Sequence, residues 1–174
     1  MAITTPICKF GEKAENFNLL STSGKTISLS HVNGKNGTLI MFICNHCPYV
    51  NSIISALVAD CNYLETFGIK SAAIMSNDVN AYPEDSFENM KLFAKKHNFS
   101  FPYLFDEDQS VAKKYGAVCT PDFFGFNKNL ELQYRGRIFA ARPTELSSAM
   151  QKISKTGKGP KIQHPSMGCS IKWK

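Results

Sequence analysis

The sequence predicts an α/β domain: a mixed β-sheet flanked by helices on both sides, with a β-hairpin at its N-terminal end. Three observations predict it. Residues 38–43 form an apolar run without polar alternation, which suits a strand buried on both faces of a sheet. Val50, Ile53, Ile54, Leu57, Val58, Cys61 and Leu64 then recur at helical spacing, and a second apolar run follows at residues 69–75. Strand, helix and strand in that order imply a parallel pair. Finally, residues 122–126 and 130–134 flank Asn127-Lys128-Asn129, a hairpin signal that adds antiparallel partners.

Taken in order, residues 17–20 and 26–29 alternate weakly around the turn-rich Ser21-Thr22-Ser23-Gly24-Lys25 and read as the first hairpin. The long helix after the first apolar strand is expected to stop at Gly68. Pro83-Glu84-Asp85 is expected to open a second helix, with acids in its first turn and Lys91, Lys95, Lys96 and His97 in its last. Residues 101–105 read as a short strand and 108–115 as a short helix stopped by Gly116. Pro143 begins a last helix that fades near Gly157, and the tail beyond has no usable periodicity. The expected organisation is one domain over residues 1–160, with a basic tail over 161–174 docked on it.

The chain has 174 residues, enough to bury about 70% of the surface its unfolded form exposes. It therefore needs no disulfide staples, and six scattered cysteines do not resemble a small secreted scaffold. Residues 1–145 hold 14 basic and 14 acidic side chains; the net charge of +6 lies wholly in Lys152, Lys155, Lys158, Lys161, Lys172 and Lys174. One local tract of lysines is not the basic face that nucleic-acid binding requires, so neither nucleic acid nor membrane is expected as a partner. The N-terminus lacks a basic head followed by an apolar core, and a reducing cytoplasm is the expected compartment. Closely spaced cysteines there are more often catalytic or metal-binding than structural.

Cys44-Asn45-His46-Cys47, followed by Pro48, lies where the first apolar strand gives way to the long helix. Two thiols three positions apart at a strand-to-helix turn can close a small reversible disulfide. Cys44 is expected as the N-cap or first residue of the helix, where N–H groups and the helix dipole favour thiolate. It would be the exposed nucleophile, and Cys47, one turn further in, the recessed resolver. His46 adds a titratable ring that would stabilise the thiolate as imidazolium. Two competing readings are a metal site, formed by Cys44, His46 and Cys47 with Cys119 or Cys169, and a purely structural disulfide. Structural zinc sites usually bring a second close ligand pair, which this chain lacks, so no metal or cofactor is expected. Cys61 lies on the apolar stripe of the helix and reads as a buried free thiol.

These motifs together resemble the thioredoxin-like fold: Cys-x-x-Cys after a buried strand, Thr120-Pro121 before the strand at 123–126, and the hairpin after it. The N-terminal residues 11–19, and the strand and helix inserted between motif and proline, are more similar to the peroxiredoxin-related branch of alkyl hydroperoxide reductase and thiol-specific antioxidant proteins. Residues 44–50, 119–123 and the terminus Gly168-Cys169-Ser170-Ile171-Lys172-Trp173-Lys174 resemble a bacterial group of peroxiredoxin-like thioredoxin proteins. The resemblance implies a cis Thr120–Pro121 peptide facing the cysteines, with the Thr120 backbone pairing to a substrate chain. It also implies that Cys47 holds the peroxidatic position. Cys44 and Ile40 stand where such peroxidases have threonine and proline, and Thr38 stands where thioredoxin has a buried acid. Arg135 or Arg137 is expected to bring a guanidinium to the thiolate, and Cys119 is a candidate third redox thiol.

A motif histidine is found in strongly oxidising relatives with potentials near about −120 mV. Against a cytosolic poise of about −240 mV such a pair rests as the dithiol, by about 5–6 kcal/mol. The expected function is thiol–disulfide oxidoreduction by Cys44, His46 and Cys47. The alternatives are a thiol peroxidase with Cys47 peroxidatic, and a non-enzymatic redox-sensing or metal-carrying module. Expected partners are a disulfide-bearing protein, or a small disulfide or hydroperoxide, and a thiol electron donor.

Overall fold

A computed structural model of the chain describes residues 1–6, 8–139 and 141–174. In chain order its elements are β1 (Ala2–Thr4), β2 (Asn18–Ser21), β3 (Thr26–Ser28), β4 (Gly37–Phe42), α1 (Pro48–Glu65), β5 (Ile69–Met75), α2 (Phe87–Lys96), β6 (Tyr103–Phe105), α3 (Ser110–Tyr115), β7 (Cys119–Thr120), β8 (Asp122–Phe126), β9 (Leu132–Tyr134), α4 (Glu145–Thr156) and β10 (Met167–Ser170). Short 3₁₀ turns occupy Leu29–Val32 and Pro83–Asp85.

Seven strands form a mixed sheet in the order β3-β2-β6-β5-β4-β8-β9. β4 pairs parallel with β5 and antiparallel with β8, so the apolar run stands at the centre of the sheet. Leu39, Met41 and Ile43 face one cluster with Leu57 of α1, Met90 of α2 and Met150 of α4. Ile40 and Phe42 face the other, with Val111 and Ala112 of α3. Every residue of β4 is buried, which is why this strand shows no alternation. Full burial of side chains of this kind contributes about 1.5–3 kcal/mol each, so this strand anchors both layers. Gly116 and Gly157 end α3 and α4 at φ 65° and 72°, a left-handed conformation that glycine adopts without penalty.

One expectation needs correction. Pro83–Asp85 does not open α2. Ser86 breaks the chain at ψ 155° and caps α2 by accepting from the Asn89 N–H at 3.4 Å, while the Asp85 side chain turns inward. The tail, which carries no usable periodicity, contributes a strand through its partners. β10 pairs antiparallel with β1 on one edge and β7 on the other, forming a small second sheet. Beyond β10 the backbone N–H of Lys172 donates to Asn77 Oδ1 at 2.9 Å, and that of Lys174 to Gln109 Oε1 at 3.0 Å. Among the described residues, no helix is long and apolar enough to cross a membrane.

Candidate active site

The site lies at the carboxyl end of β4, where ligands gather in open sheets of this kind. α1 begins at Pro48, so its N-cap is Cys47, not Cys44. Proline favours the first helical position because its missing N–H would be unpaired there anyway. Cys47 therefore sits at the helix N-terminus, and the Val50 and Cys169 backbones are among the influences that hold its thiol below the ordinary value. Cys44 precedes it on the strand-to-helix turn.

The division between exposed nucleophile and recessed resolver also fails: Cys44 is 1% and Cys47 0% exposed. Both sulfurs meet Thr120, Cys44 Sγ at its hydroxyl and Cys47 Sγ at its carbonyl, and the pair holds its charge unequally. The neighbouring Cys44 thiol is the largest influence pulling the Cys47 thiol well below its ordinary value. The same proximity, with burial and the nearby Asp85 carboxylate, pushes Cys44 far up. When neutral, the Cys47 thiol donates to the Thr120 carbonyl at 3.2 Å. The helix N-terminus and the lowering influence of Cys44, Val50 and Cys169 favour charge on Cys47 over Cys44, so the thiolate belongs on Cys47. Thr120 Oγ1 lies 3.4 Å from Cys44 Sγ, and the Thr120–Pro121 peptide is cis.

Asp85 was not singled out in the sequence. Its carboxylate is fully buried, and Oδ1 accepts the backbone N–H groups of Asn45 at 2.8 Å and His46 at 3.3 Å. Oδ2 lies 2.6 Å from His46 Nδ1 and accepts from Asn77 Nδ2 at 2.8 Å. A carboxylate can only accept, so the His46 proton sits on Nδ1. The ring stacks on Tyr82, with 5.6 Å between centroids. His46 is thus oriented by an acid whose charge opposes the help an imidazolium would give the thiolate. Tyr103 donates to Asn45 Oδ1 at 2.9 Å and Asn51 Nδ2 to the Asn45 carbonyl at 3.0 Å, fixing the turn between the cysteines. Thr38 accepts from the Gly34 N–H at 3.1 Å, and the buried acid at the cysteine turn comes from the Pro83–Asp85 segment.

One ligand atom each from Cys44, His46 and Asp85 lies within 4.8 Å of the others, a cluster of the size a metal ion could bridge. All the donors just described already converge on Asp85. Neither arginine supplies the expected guanidinium. Arg135 pairs with Asp122 at 2.9 Å, donates to the Gly116 carbonyl and lies over the Phe124 ring, while Arg137 pairs with Glu145. The Cys119 thiol is buried, turned to the Pro121 carbonyl at 3.6 Å and pushed up to about 12, chiefly by burial. Cys61 contacts Met41 in the core. The Thr120 backbone edge, expected to receive a substrate chain, is taken by Cys169 of β10. A cleft of about 400 Å³ opens beside Pro121, between Tyr49, Ile53, Arg137 and Met167.

A sequence profile of the AhpC/TSA family matches residues 10–136. The crystal structure of a conserved protein from Geobacillus kaustophilus is 41% identical, with a TM-score of 0.94, and the match covers 100% of this chain and 97% of that one. The thioredoxin domain of a thiol-disulfide oxidoreductase from Bacteroides vulgatus, at 15% identity and a TM-score of 0.63 over 74% of this chain and 89% of its own, shares the fold. Chloroplastic peroxiredoxin Q of Triticum aestivum is 29% identical over 115 residues, 66% of this chain and 48% of the relative. The chain thus spans about half the length of that curated relative.

Proposed function

This chain belongs to the AhpC/TSA family and has a thioredoxin-like fold, and from that premise we propose that it is a thiol–disulfide oxidoreductase in which Cys47 is the reacting thiolate and Cys44 its partner. The observation that supports this most is the pair of sulfurs gathered on Thr120 at the N-terminus of α1, Cys47 Sγ 3.2 Å from its carbonyl and Cys44 Sγ 3.4 Å from its hydroxyl. The roles are the reverse of those expected from the sequence, because the helix begins one turn later.

In the reducing direction the Cys47 thiolate attacks one sulfur of a substrate disulfide and releases the other as a thiolate. Cys44 then loses its proton to that leaving thiolate and attacks Cys47. The Cys47–substrate bond breaks, and a Cys44–Cys47 disulfide forms. Two electrons pass from the dithiol to the substrate, and an external thiol resets the pair. Asp85 and Tyr103 hold the turn, and Asp85 orients His46. In a reducing cytoplasm the pair rests as the dithiol. In a dithiol-driven disulfide-reduction assay, Cys47→Ser is expected to be inactive and Cys44→Ser to stall as a mixed disulfide. Wild-type activity in Cys47→Ser would remove the proposal.

Burial of both sulfurs favours a second reading, because a small oxidant reaches them more easily than a protein does. A hydroperoxide attacked by Cys47 would leave as the alcohol with Cys47 as sulfenic acid, and condensation with Cys44 would give the disulfide and water. Peroxide-dependent sulfenic acid in Cys44→Ser tests it, and a protein that stays fully reduced argues against it. Stoichiometric metal in protein purified under reducing conditions would point instead to a carrier site at Cys44, His46 and Asp85.

A further inference from the structure

The reactive pair is sealed, yet the pair must exchange electrons with something outside. A third sulfur stands at the seal. β10 sets Cys169 opposite Thr120, whose carbonyl contacts Cys47 Sγ at 3.2 Å. The strand is held tightly there. A Cβ on Gly168 would overlap the Thr120 carbonyl oxygen, and the Ser166 hydroxyl donates to the Pro121 carbonyl at 2.7 Å. On the far side the Ile171 N–H donates to the Val118 carbonyl at 3.0 Å and Lys172 is tied to Asn77. Cys169 packs against the cluster containing Cys44 and Cys47, but unlike them it is partly exposed.

We propose that Cys169 is a third redox thiol of this site and the point at which an external thiol reduces the buried Cys44–Cys47 disulfide. The proposal rests on the oxidoreductase reading above and names its route of reduction. Cys169 attacks the Cys47 sulfur, the Cys44–Cys47 bond breaks, and the proton from Cys169 ends on Cys44. The resulting Cys47–Cys169 disulfide has one sulfur within reach of solvent. An external thiolate attacks that sulfur and expels Cys47, a good leaving group because its thiolate is stabilised. A second external thiol attacks the mixed disulfide at the external sulfur, frees Cys169 and departs as the external disulfide. Two external thiols are oxidised, and Cys44 and Cys47 are reduced. The donor class is a thiol, in a small molecule or a protein.

Diamide oxidation of Cys44→Ser protein, followed by peptide mapping, is expected to yield a Cys47–Cys169 disulfide. A free Cys169 thiol beside an oxidised Cys47 would overturn the proposal. A second measurement uses oxidised wild-type, Cys169→Ala and Cys169→Ser proteins, each with an intact Cys44–Cys47 disulfide, reduced by glutathione. Both variants are expected to react at least about tenfold more slowly than wild type, since exchange rates depend on which sulfur is accessible. Equal rates would overturn the proposal while leaving the oxidoreductase reading intact. Wild-type protein that forms no Cys44–Cys47 disulfide with diamide would remove both.

Discussion

Two fully buried aspartates, Asp85 and Asp122, are satisfied in different ways. Asp122, at the start of β8, is paired with Arg135, and burial that pushes its carboxyl up is opposed by two guanidinium hydrogen bonds at 2.9 and 3.3 Å. Asp85 instead binds two backbone N–H groups of the cysteine turn, an asparagine and a histidine. Arginine is always charged, so the first pair is permanent and joins the loop after α3 to the sheet. The second set of bonds instead ties an acid to the turn that carries both cysteines. The same residue type serves the fold in one place and the reactive turn in the other.

That contrast is broken most severely at Arg135. Arg135→Ala leaves Asp122 buried and unpaired, and denaturant titration is expected to show a loss of about 3–5 kcal/mol, with the potential of the Cys44–Cys47 pair unchanged. Asp85→Asn keeps one acceptor and the shape; a loss of about 1–3 kcal/mol is expected, since backbone donors at the turn are left without a partner. It should also shift the potential, because the Asp85 charge adds to Cys47 and burial in keeping Cys44 protonated. A shift from Arg135→Ala and none from Asp85→Asn would reverse the assignment.

The pH dependence is shallower, at most about 1.4 kcal/mol per pH unit for one proton. Cys47 is a stronger acid folded than unfolded, so its stabilising contribution is complete above the ordinary thiol value of 9.0 and is lost as pH falls through the lower folded value. Cys44 is a weaker acid folded, so its contribution is present below 9.0 and is lost as pH rises further. The reduced protein is therefore expected to be most stable near 9.0, and Cys47→Ser to remove the rise on the acid side. Ultraviolet thiolate absorbance should persist through neutrality in wild type and vanish in that variant. The smallest effect is expected at the half-exposed Arg137–Glu145 pair, where Glu145→Gln should leave the unfolding midpoint unchanged.

The parts of this fold that were legible in the chain are those whose signals are local. Residues 38–43, the helical stripe from Val50 to Leu64 and the turn at Asn127 each announce an element within a few residues. β1 and β10 do not, because each is four residues or fewer and is stabilised by partners on the far side of the chain. Asp85 was hidden for the same reason: the N–H groups it accepts are 39 and 40 positions away. Its position resembled an acid in the first turn of a helix. The start of α1 was legible as well, since Pro48 already marked the first helical residue.

The account stands on a reversible bond between two sealed sulfurs. Equilibrating wild-type protein with graded mixtures of reduced and oxidised glutathione, then mapping its cysteines, tests this directly. The account predicts a Cys44–Cys47 disulfide that forms and disappears reversibly across the series. Thiols at both positions that stay reduced throughout, or oxidation confined to other cysteines, would contradict it.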